Sequence, residues 1–160
     1  MRALLLVLAL AACSPQTEQA DPAAEAPVPA AEEPVAQSPE AAVATQASNL
    51  AQMPPWDGAR AAGVDFRAVG QEPGWIMDIY AGGVLKIVWA YGENYAAFAV
   101  TQPANAPEGV TRWEGSSDGR TIAVTIRRAP CQDAMSGEAY PSTVEVAIDQ
   151  ETLRGCGRSV

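Results

Sequence analysis

The sequence predicts an all-β domain, a small antiparallel barrel of about eight strands, and two observations support this. Short segments that alternate apolar and polar residues recur between turn residues after residue 63, without a helical period. All four Trp, all four Tyr and both Phe lie after residue 53, so the core must be built there. Eight antiparallel strands fit a closed barrel or a sandwich, and closure, which removes exposed edges, favours the barrel.

Turn residues divide the domain into its predicted strands. Pro73-Gly74 precedes the second strand, Gly82-Gly83 predicts a hairpin, and Ser117-Asp118-Gly119 leads into the sixth strand. Pro130 ends that strand and opens a loop from Cys131 to Pro141, long enough for one helical turn around residues 133–136. The predicted strands are residues 64–69, 75–80, 84–89, 95–100, 110–114, 120–127, 143–148 and 152–156.

The first residues have the pattern of a bacterial lipoprotein signal. Arg2 is followed by an apolar run from residue 3 to 12, which ends in Leu10-Ala11-Ala12-Cys13. We therefore expect cleavage after residue 12 and diacylation of the Cys13 thiol. An apolar run this short cannot span a hydrocarbon core of about 30 Å, so the chain would be anchored to a membrane without crossing it. The alternatives are an ordinary signal peptide or a short core helix.

Residues 13–53 are predicted to form a disordered tether, which leaves 54–160 as the barrel domain. Between Ser14 and Leu50 there are six acidic residues and six prolines, but no Lys, Arg or aromatic residue. Such a segment has too little apolar surface to offset the entropy lost on ordering. Its many alanines favour a helix, but a proline every few residues disfavours one.

The three cysteines divide between the two parts. With Cys13 assigned to lipid, Cys131 and Cys156 remain to form a structural disulfide in an oxidising compartment. A bridge closing about 26 residues would stabilise the fold by about 3.5 kcal/mol in the chain-entropy model. Two reduced buried thiols, or a redox pair, are the alternatives, although a redox pair usually has Cys-x-x-Cys spacing.

Composition excludes several kinds of chemistry. The net charge of −9 argues against a nucleic-acid-binding protein, which would need a basic surface. The absence of His excludes Ser-His-Asp sites and the HExxH zinc motif. We therefore expect no enzymatic activity, no cofactor and no metal. A hydrolase that pairs Glu72 with Asp133 or Glu138 is the open alternative. A Ca²⁺ site formed by Asp133 and Glu138 is less favoured, because the spacing of these acids is irregular for such a site.

Three segments resemble a family of small periplasmic lipoproteins of Gram-negative bacteria. They are Phe66 to Trp75 (FRAVGQEPGW), Cys131 to Pro141 (CQDAMSGEAYP) and Gly155 to Arg158 (GCGR). Relatives of that family are described as similar to META-domain heat-shock lipoproteins or to inhibitors of c-type lysozyme. The resemblance implies a β-rich fold and a Cys131–Cys156 pair, and it brings no established activity.

A shorter motif leads to a more specific hypothesis. Ser136-Gly137-Glu138-Ala139-Tyr140 fits the Ser-Gly-x-x-Tyr loop of the membrane-bound lysozyme inhibitors. In that family the loop enters the lysozyme cleft, so the resemblance implies that Ser136 and Tyr140 would make the contacts. The second motif of the family, a Tyr followed by Thr-Lys-Gly, has no counterpart, because Lys86 is the only lysine of this chain.

These observations predict a monomeric, non-enzymatic binding lipoprotein. Ser14, rather than Asp, follows the lipidated Cys13, which favours the periplasmic face of the outer membrane. The partner would be an envelope protein, a lysozyme or a small ligand. A spacer without a ligand is a further alternative. The candidate binding residues are Glu72, Trp75, Ser136 and Tyr140, although a Trp in a strand most often fills a core.

Overall fold

A computed structural model describes residues 38–160. The predicted signal peptide, Cys13 and the tether up to residue 37 lie outside the described residues. The barrel strands are β1 (Val64–Gln71), β2 (Gly74–Tyr80), β3 (Val84–Trp89), β4 (Asn94–Thr101), β5 (Val110–Ser117), β6 (Arg120–Arg127), β9 (Ser142–Ile148) and β10 (Glu151–Ser159). Two short strands, β7 (Cys131–Gln132) and β8 (Ala139–Tyr140), form a separate ribbon.

The eight long strands form a closed antiparallel barrel, which confirms the predicted fold class. Each strand pairs with the next along the chain, except that β6 pairs with β9 across the loop that contains the β7–β8 ribbon. β10 closes the barrel on β1, with Ala68 opposite Gly157 and Val69 opposite Cys156. All eight predicted strands are present, and β10 continues three residues beyond its predicted end.

Alternation along the strands fills the interior of the barrel. In β6, Ile122, Val124 and Ile126 are buried and point inward, while the residues between them point outward. β9 repeats the pattern, and its three core residues lie in register with those of β6. Other fully buried core side chains are Met77, Leu85, Ile87, Trp89, Phe98 and Leu153. The core is therefore the barrel lumen, and the outward faces remain available for other contacts.

A buried ion pair lies on the outer face of the barrel wall. Arg67 of β1 and Asp78 of β2 are cross-strand partners, and their side chains are joined by two hydrogen bonds of 2.6 Å. Both residues are fully buried, because the segment that precedes β1 covers them. Arg67 also donates to the carbonyl of Pro54 at 2.8 Å, and its guanidinium lies over the Trp56 ring. The segment before β1 is thus part of the folded domain.

The chain is helical where the sequence predicted the end of a disordered tether. Helix α1 spans Pro39–Leu50; Pro39 starts it, where no amide hydrogen is needed, and the Ser38 side chain caps the Ala41 amide. No proline or glycine follows until Pro54, so the Ala-rich sequence is free to remain helical. Asn49 attaches the helix to the β3–β4 turn by donating to the carbonyl of Gly92 at 2.9 Å. No helix within residues 38–160 is long and apolar enough to cross a membrane.

Candidate functional site

The loop between β6 and β9 is held against the outside of the barrel by a disulfide. Cys131 begins the loop, and Cys156 lies in β10. Cys156 points outward, because it pairs with Thr143 and Val69 while the neighbouring Val144 lies in the core. The bridge therefore fixes the loop to the outer face of the barrel wall, and the predicted disulfide is confirmed.

Asp133 organises the tip of this loop. Its carboxylate accepts hydrogen bonds from the amides of Met135 and Ser136 and from the Ser136 hydroxyl, at 2.7–3.1 Å. The Ser136 amide, followed by the side chain of Gln71, lowers the pKa of Asp133 to about 2. Asp133 itself is buried, at 5% exposure. The predicted helical turn is a single hydrogen-bonded turn, in which the Gly137 amide donates to the Asp133 carbonyl.

A stack of cations and aromatic rings holds the other side of the loop. Tyr140 is buried, and its hydroxyl donates to the Glu138 carboxylate at 3.0 Å. Arg158 of β10 donates to the same carboxylate and lies between the rings of Tyr140 and Trp56. Burial raises the pKa of Tyr140 to about 12, and the hydrogen bond to Glu138 is the second cause. The hydrogen bond from Arg158 lowers the pKa of Glu138. The loop is thereby linked to the segment that covers Arg67.

The β1–β2 turn meets the loop from a third direction. Gln71, the last residue of β1, donates to the Asp133 carboxylate at 2.8 Å, although the two are 62 residues apart in the chain. Glu72 accepts a hydrogen bond from the Tyr91 hydroxyl at 2.7 Å, which raises the pKa of Tyr91. We call this turn (residues 71–74) and the disulfide loop (residues 131–140) together the loop face.

Between the loop face and the barrel wall lies a groove of about 510 Å³, which we call the loop groove. Its floor is the outer face of β6, β9 and β10, including Thr125, Arg127 and Thr143. Its remaining lining comes from the β1–β2 turn and the start of the loop: Gly70, Gln71, Glu72 and Cys131 to Ala134. Among residues 38–160 Arg127 forms no salt bridge, whereas Arg154 pairs with Glu145 at 3.1 Å. The lining also contains the carboxylates of Glu72, Asp133 and Glu145, so the guanidinium of Arg127 stands beside two threonine hydroxyls in a groove that carries charges of both signs.

The four candidate binding residues have different positions relative to this groove. Glu72 lines it, and Ser136 is exposed on the loop that bounds it. Tyr140 is 5% exposed beneath Arg158. Trp75 points into the barrel core, where its indole N–H donates to the Arg154 carbonyl at 3.3 Å. The structure therefore brings Glu72 and Ser136 to the loop face as accessible groups and uses Tyr140 and Trp75 for packing.

The sequence did not single out Gln71, Trp56 or the Arg154–Glu145 pair. Their roles depend on contacts between segments far apart in the chain, such as Gln71 with Asp133. One signal was present: the three segments quoted for the family resemblance contain Gln71, Asp133 and Arg158. All three segments meet at the loop face.

Between residues 38 and 160, no three His, Cys, Asp or Glu side chains are grouped so that they could hold a metal ion. The loop carboxylates instead accept hydrogen bonds from the protein: Asp133 from uncharged donors and Glu138 from Arg158. Comparison with protein-family models, curated proteins and solved structures finds no match to this chain. The resemblance to the periplasmic lipoprotein family stays a prediction.

Proposed function

We propose that this chain is a non-enzymatic binding protein of the bacterial envelope, anchored through lipid on Cys13 to the periplasmic face of the outer membrane. The observation that carries the proposal is the loop groove, about 510 Å³ in volume and bounded by a loop fixed at three points. Those points are the disulfide, the Gln71–Asp133 bond and the Glu138–Arg158 pair. A site ordered before binding loses little conformational entropy when its partner arrives.

Around Arg127 the groove lining favours a partner that presents hydrogen-bond acceptors, whereas the carboxylate of Glu72 at the groove edge favours donors. Arg127 is exposed and forms no salt bridge among the described residues. Thr143 of β9 lies directly opposite it, and Thr125 precedes it by two residues on the same face of β6. A guanidinium offers a planar set of donors to a carboxylate or to peptide carbonyls. The envelope protein or small ligand that we propose as the partner would therefore place such groups over Arg127.

The alternative of a carboxylate hydrolase has weaker support. A glycosidase needs one carboxylic acid that stays protonated near neutral pH, which requires a raised pKa. At the loop face the shifts have the opposite sign, because the donors around Asp133 hold its pKa at about 2 and Arg158 lowers that of Glu138. Both groups are suited to ordering the loop rather than to giving up a proton.

The alternative of a lysozyme inhibitor depends on Ser136 and Tyr140. The Ser136 hydroxyl donates to Asp133 at 2.8 Å and accepts from the Glu138 amide at 3.2 Å. Tyr140 is buried, with its hydroxyl bonded to Glu138. Insertion of these groups into an enzyme cleft would require the loop to give up its own bonds. We therefore expect no slowing of lysis by c-type lysozyme, a result that a turbidity assay with the full chain can check.

The binding proposal is tested by filling the groove. Thr143→Trp would place an indole on the groove floor, and Thr152→Trp is the matched control, because Thr152 is exposed on the outer face of β10 away from the groove. Affinity capture from envelope extracts on the full chain should return a partner. Recovery of that partner should fall at least about tenfold with Thr143→Trp, roughly the loss of a single good contact, and should not change with Thr152→Trp. Equal recovery by both variants, or no reproducible partner, would refute the proposal.

The anchor is tested separately by mass spectrometry of the mature protein from a Gram-negative host. We expect the chain to begin at Cys13 and to carry a diacylglyceryl group on its sulfur. A mature N-terminus elsewhere, or an unmodified Cys13, would contradict the anchored location and leave the groove experiment unaffected.

A further inference from the structure

A second cavity opens at the end of the barrel where β1 begins. Its volume is about 590 Å³, and we call it the mouth cavity. Four apolar side chains that point into the lumen line it: Phe66, Ile79, Trp113 and Ile126. It shares no lining residue with the loop groove, whose floor is the outer face of the same wall. The two cavities are therefore independent sites.

The barrel wall has an opening beside this cavity. β4 and β5 pair only at Val100 with Gly115 and at Thr101 with Glu114, whereas β5 pairs with β6 along its whole length. Pro103, two residues after the end of β4, has no amide hydrogen with which to continue the ladder. In the described chain, the first half of β5 thus has no strand on that side.

The mouth cavity reaches this opening. Its lining includes Gly82 and Gly83 of the β2–β3 turn on one side, and Gly109 to Thr111 at the start of β5 on the other. Thr111 and Gly109 are exposed. A ligand could therefore enter from the side of the barrel while its apolar part contacts Phe66 and Trp113.

A cation stands beside the opening. The backbone amide of Arg128 donates to the Gly109 carbonyl at 3.1 Å, which fixes this arginine next to the start of β5. Arg128 is exposed, lines the cavity and forms no salt bridge with any residue from 38 to 160. The other charged lining residue, Asp65, is in β1, and β9 and β10 separate that strand from β6. Arg128 is therefore the charged lining residue at the opening, where the exposed Glu108 next to Gly109 lies outside the lining.

We propose that the mouth cavity binds a single-chain amphiphile with an anionic head group. The acyl chain would lie among Phe66, Ile79, Trp113 and Ile126, and the head group would bind Arg128 at the opening. A free fatty acid and a lysophospholipid both have this chemistry. The proposal does not depend on the partner proposed for the loop groove.

Calorimetric titration of the full chain carrying Cys13→Ser, which removes any competing acyl group, tests the proposal. Decanoate should bind at least about fivefold more tightly than decanol, because only the acid pairs with Arg128. Each added methylene should raise the affinity about fourfold as the chain is buried. Titration with a decanoyl lysophosphatidic acid compares the two ligand sources. Tighter binding of this compound than of decanoate would indicate a lysophospholipid, and tighter binding of decanoate would indicate a free fatty acid.

Two neighbouring arginines provide the matched control. Arg128→Gln should remove the preference for decanoate over decanol, whereas Arg127→Gln, on the loop groove, should leave it unchanged. Thr111→Trp should block both ligands, and its melting temperature shows whether the barrel has folded. Equal binding of acid and alcohol, tighter binding of decyltrimethylammonium, an equal effect of Arg127→Gln, or no binding of any chain would each overturn the proposal.

Discussion

The barrel wall and the loop face are ordered by different kinds of interaction. The wall is built from strand ladders around a continuous apolar core, and six of its eight strand pairs join strands that are consecutive in the barrel sequence order β1 to β6 and β9 to β10. The loop face buries the ring of Tyr140 and is otherwise held by one disulfide and by polar side chains from distant segments. The comparison indicates that the barrel supplies global stability, while the polar contacts decide whether a preformed groove exists beside it.

The largest loss of stability is expected at the buried Arg67–Asp78 ion pair of the barrel wall. Arg67→Met would leave the fully buried Asp78 without its cation, at a cost of about 4 kcal/mol in unfolding free energy. The double variant Arg67→Met with Asp78→Leu should recover most of that loss, because it removes both charges. Denaturant unfolding measures both. A single variant as stable as the wild type would show that the pair is not buried as described.

Removal of the disulfide should have the next largest effect. Replacing Cys131 and Cys156 by Ser frees the loop and should lower the unfolding free energy by about 3.5 kcal/mol, mostly by increasing the entropy of the unfolded chain. The β-rich circular dichroism spectrum should persist at low temperature, because the barrel ladders remain. Loss of that spectrum would mean that the loop supports the barrel itself, contrary to the division proposed above.

Acid should weaken the loop through Asp133. Its pKa falls from 3.8 to about 2 on folding, so its contribution to stability is complete above about pH 4 and is lost as the pH falls towards 2. Asp133→Asn, which cannot ionise, should therefore lose less stability than the wild type between pH 4 and pH 2. The two proteins would be compared by urea unfolding at each pH. A difference that stays constant over this range would contradict the assigned role of the carboxylate.

The smallest effect is expected at the exposed ion pair. Glu138 and Arg158 have side chains about half exposed, 45% and 38%, so Glu138→Gln should cost less than about 1 kcal/mol. The same change should loosen Tyr140, whose hydroxyl donates to Glu138. Tyr140 ring signals in NMR spectra would detect that change. A large drop in melting temperature would show that the loop face contributes more to global stability than its contacts indicate.

Sequence patterns were sufficient for the barrel because turn residues separate the strands and several strands alternate apolar and polar residues, as in Arg120 to Arg127. They were insufficient for α1, because prolines upstream of Pro39 outweighed the uninterrupted alanine-rich residues after it. They also left the core role of Trp113 uncertain; it is partly buried at the mouth cavity rather than enclosed.

The loop face could not be assembled from local patterns. The acid at Asp133 is compatible with solvent exposure, metal binding or catalysis until its partners Gln71 and Ser136 are known. The same holds for Arg127, which the sequence shows only as one of two adjacent arginines. Alternation places Arg127 on the outer face of the wall, and only the fold shows that this face is the groove floor.

Amide hydrogen exchange of the loop in the oxidised protein tests most directly whether the groove is preformed. Five of the six amides from residue 133 to 138 donate hydrogen bonds within the loop: those of Asp133, Met135, Ser136, Gly137 and Glu138. We predict that these amides are protected well above the rates of an unstructured peptide, and that protection falls when Cys131 and Cys156 are replaced by Ser. Exchange at unstructured rates in the oxidised protein would contradict a preformed groove.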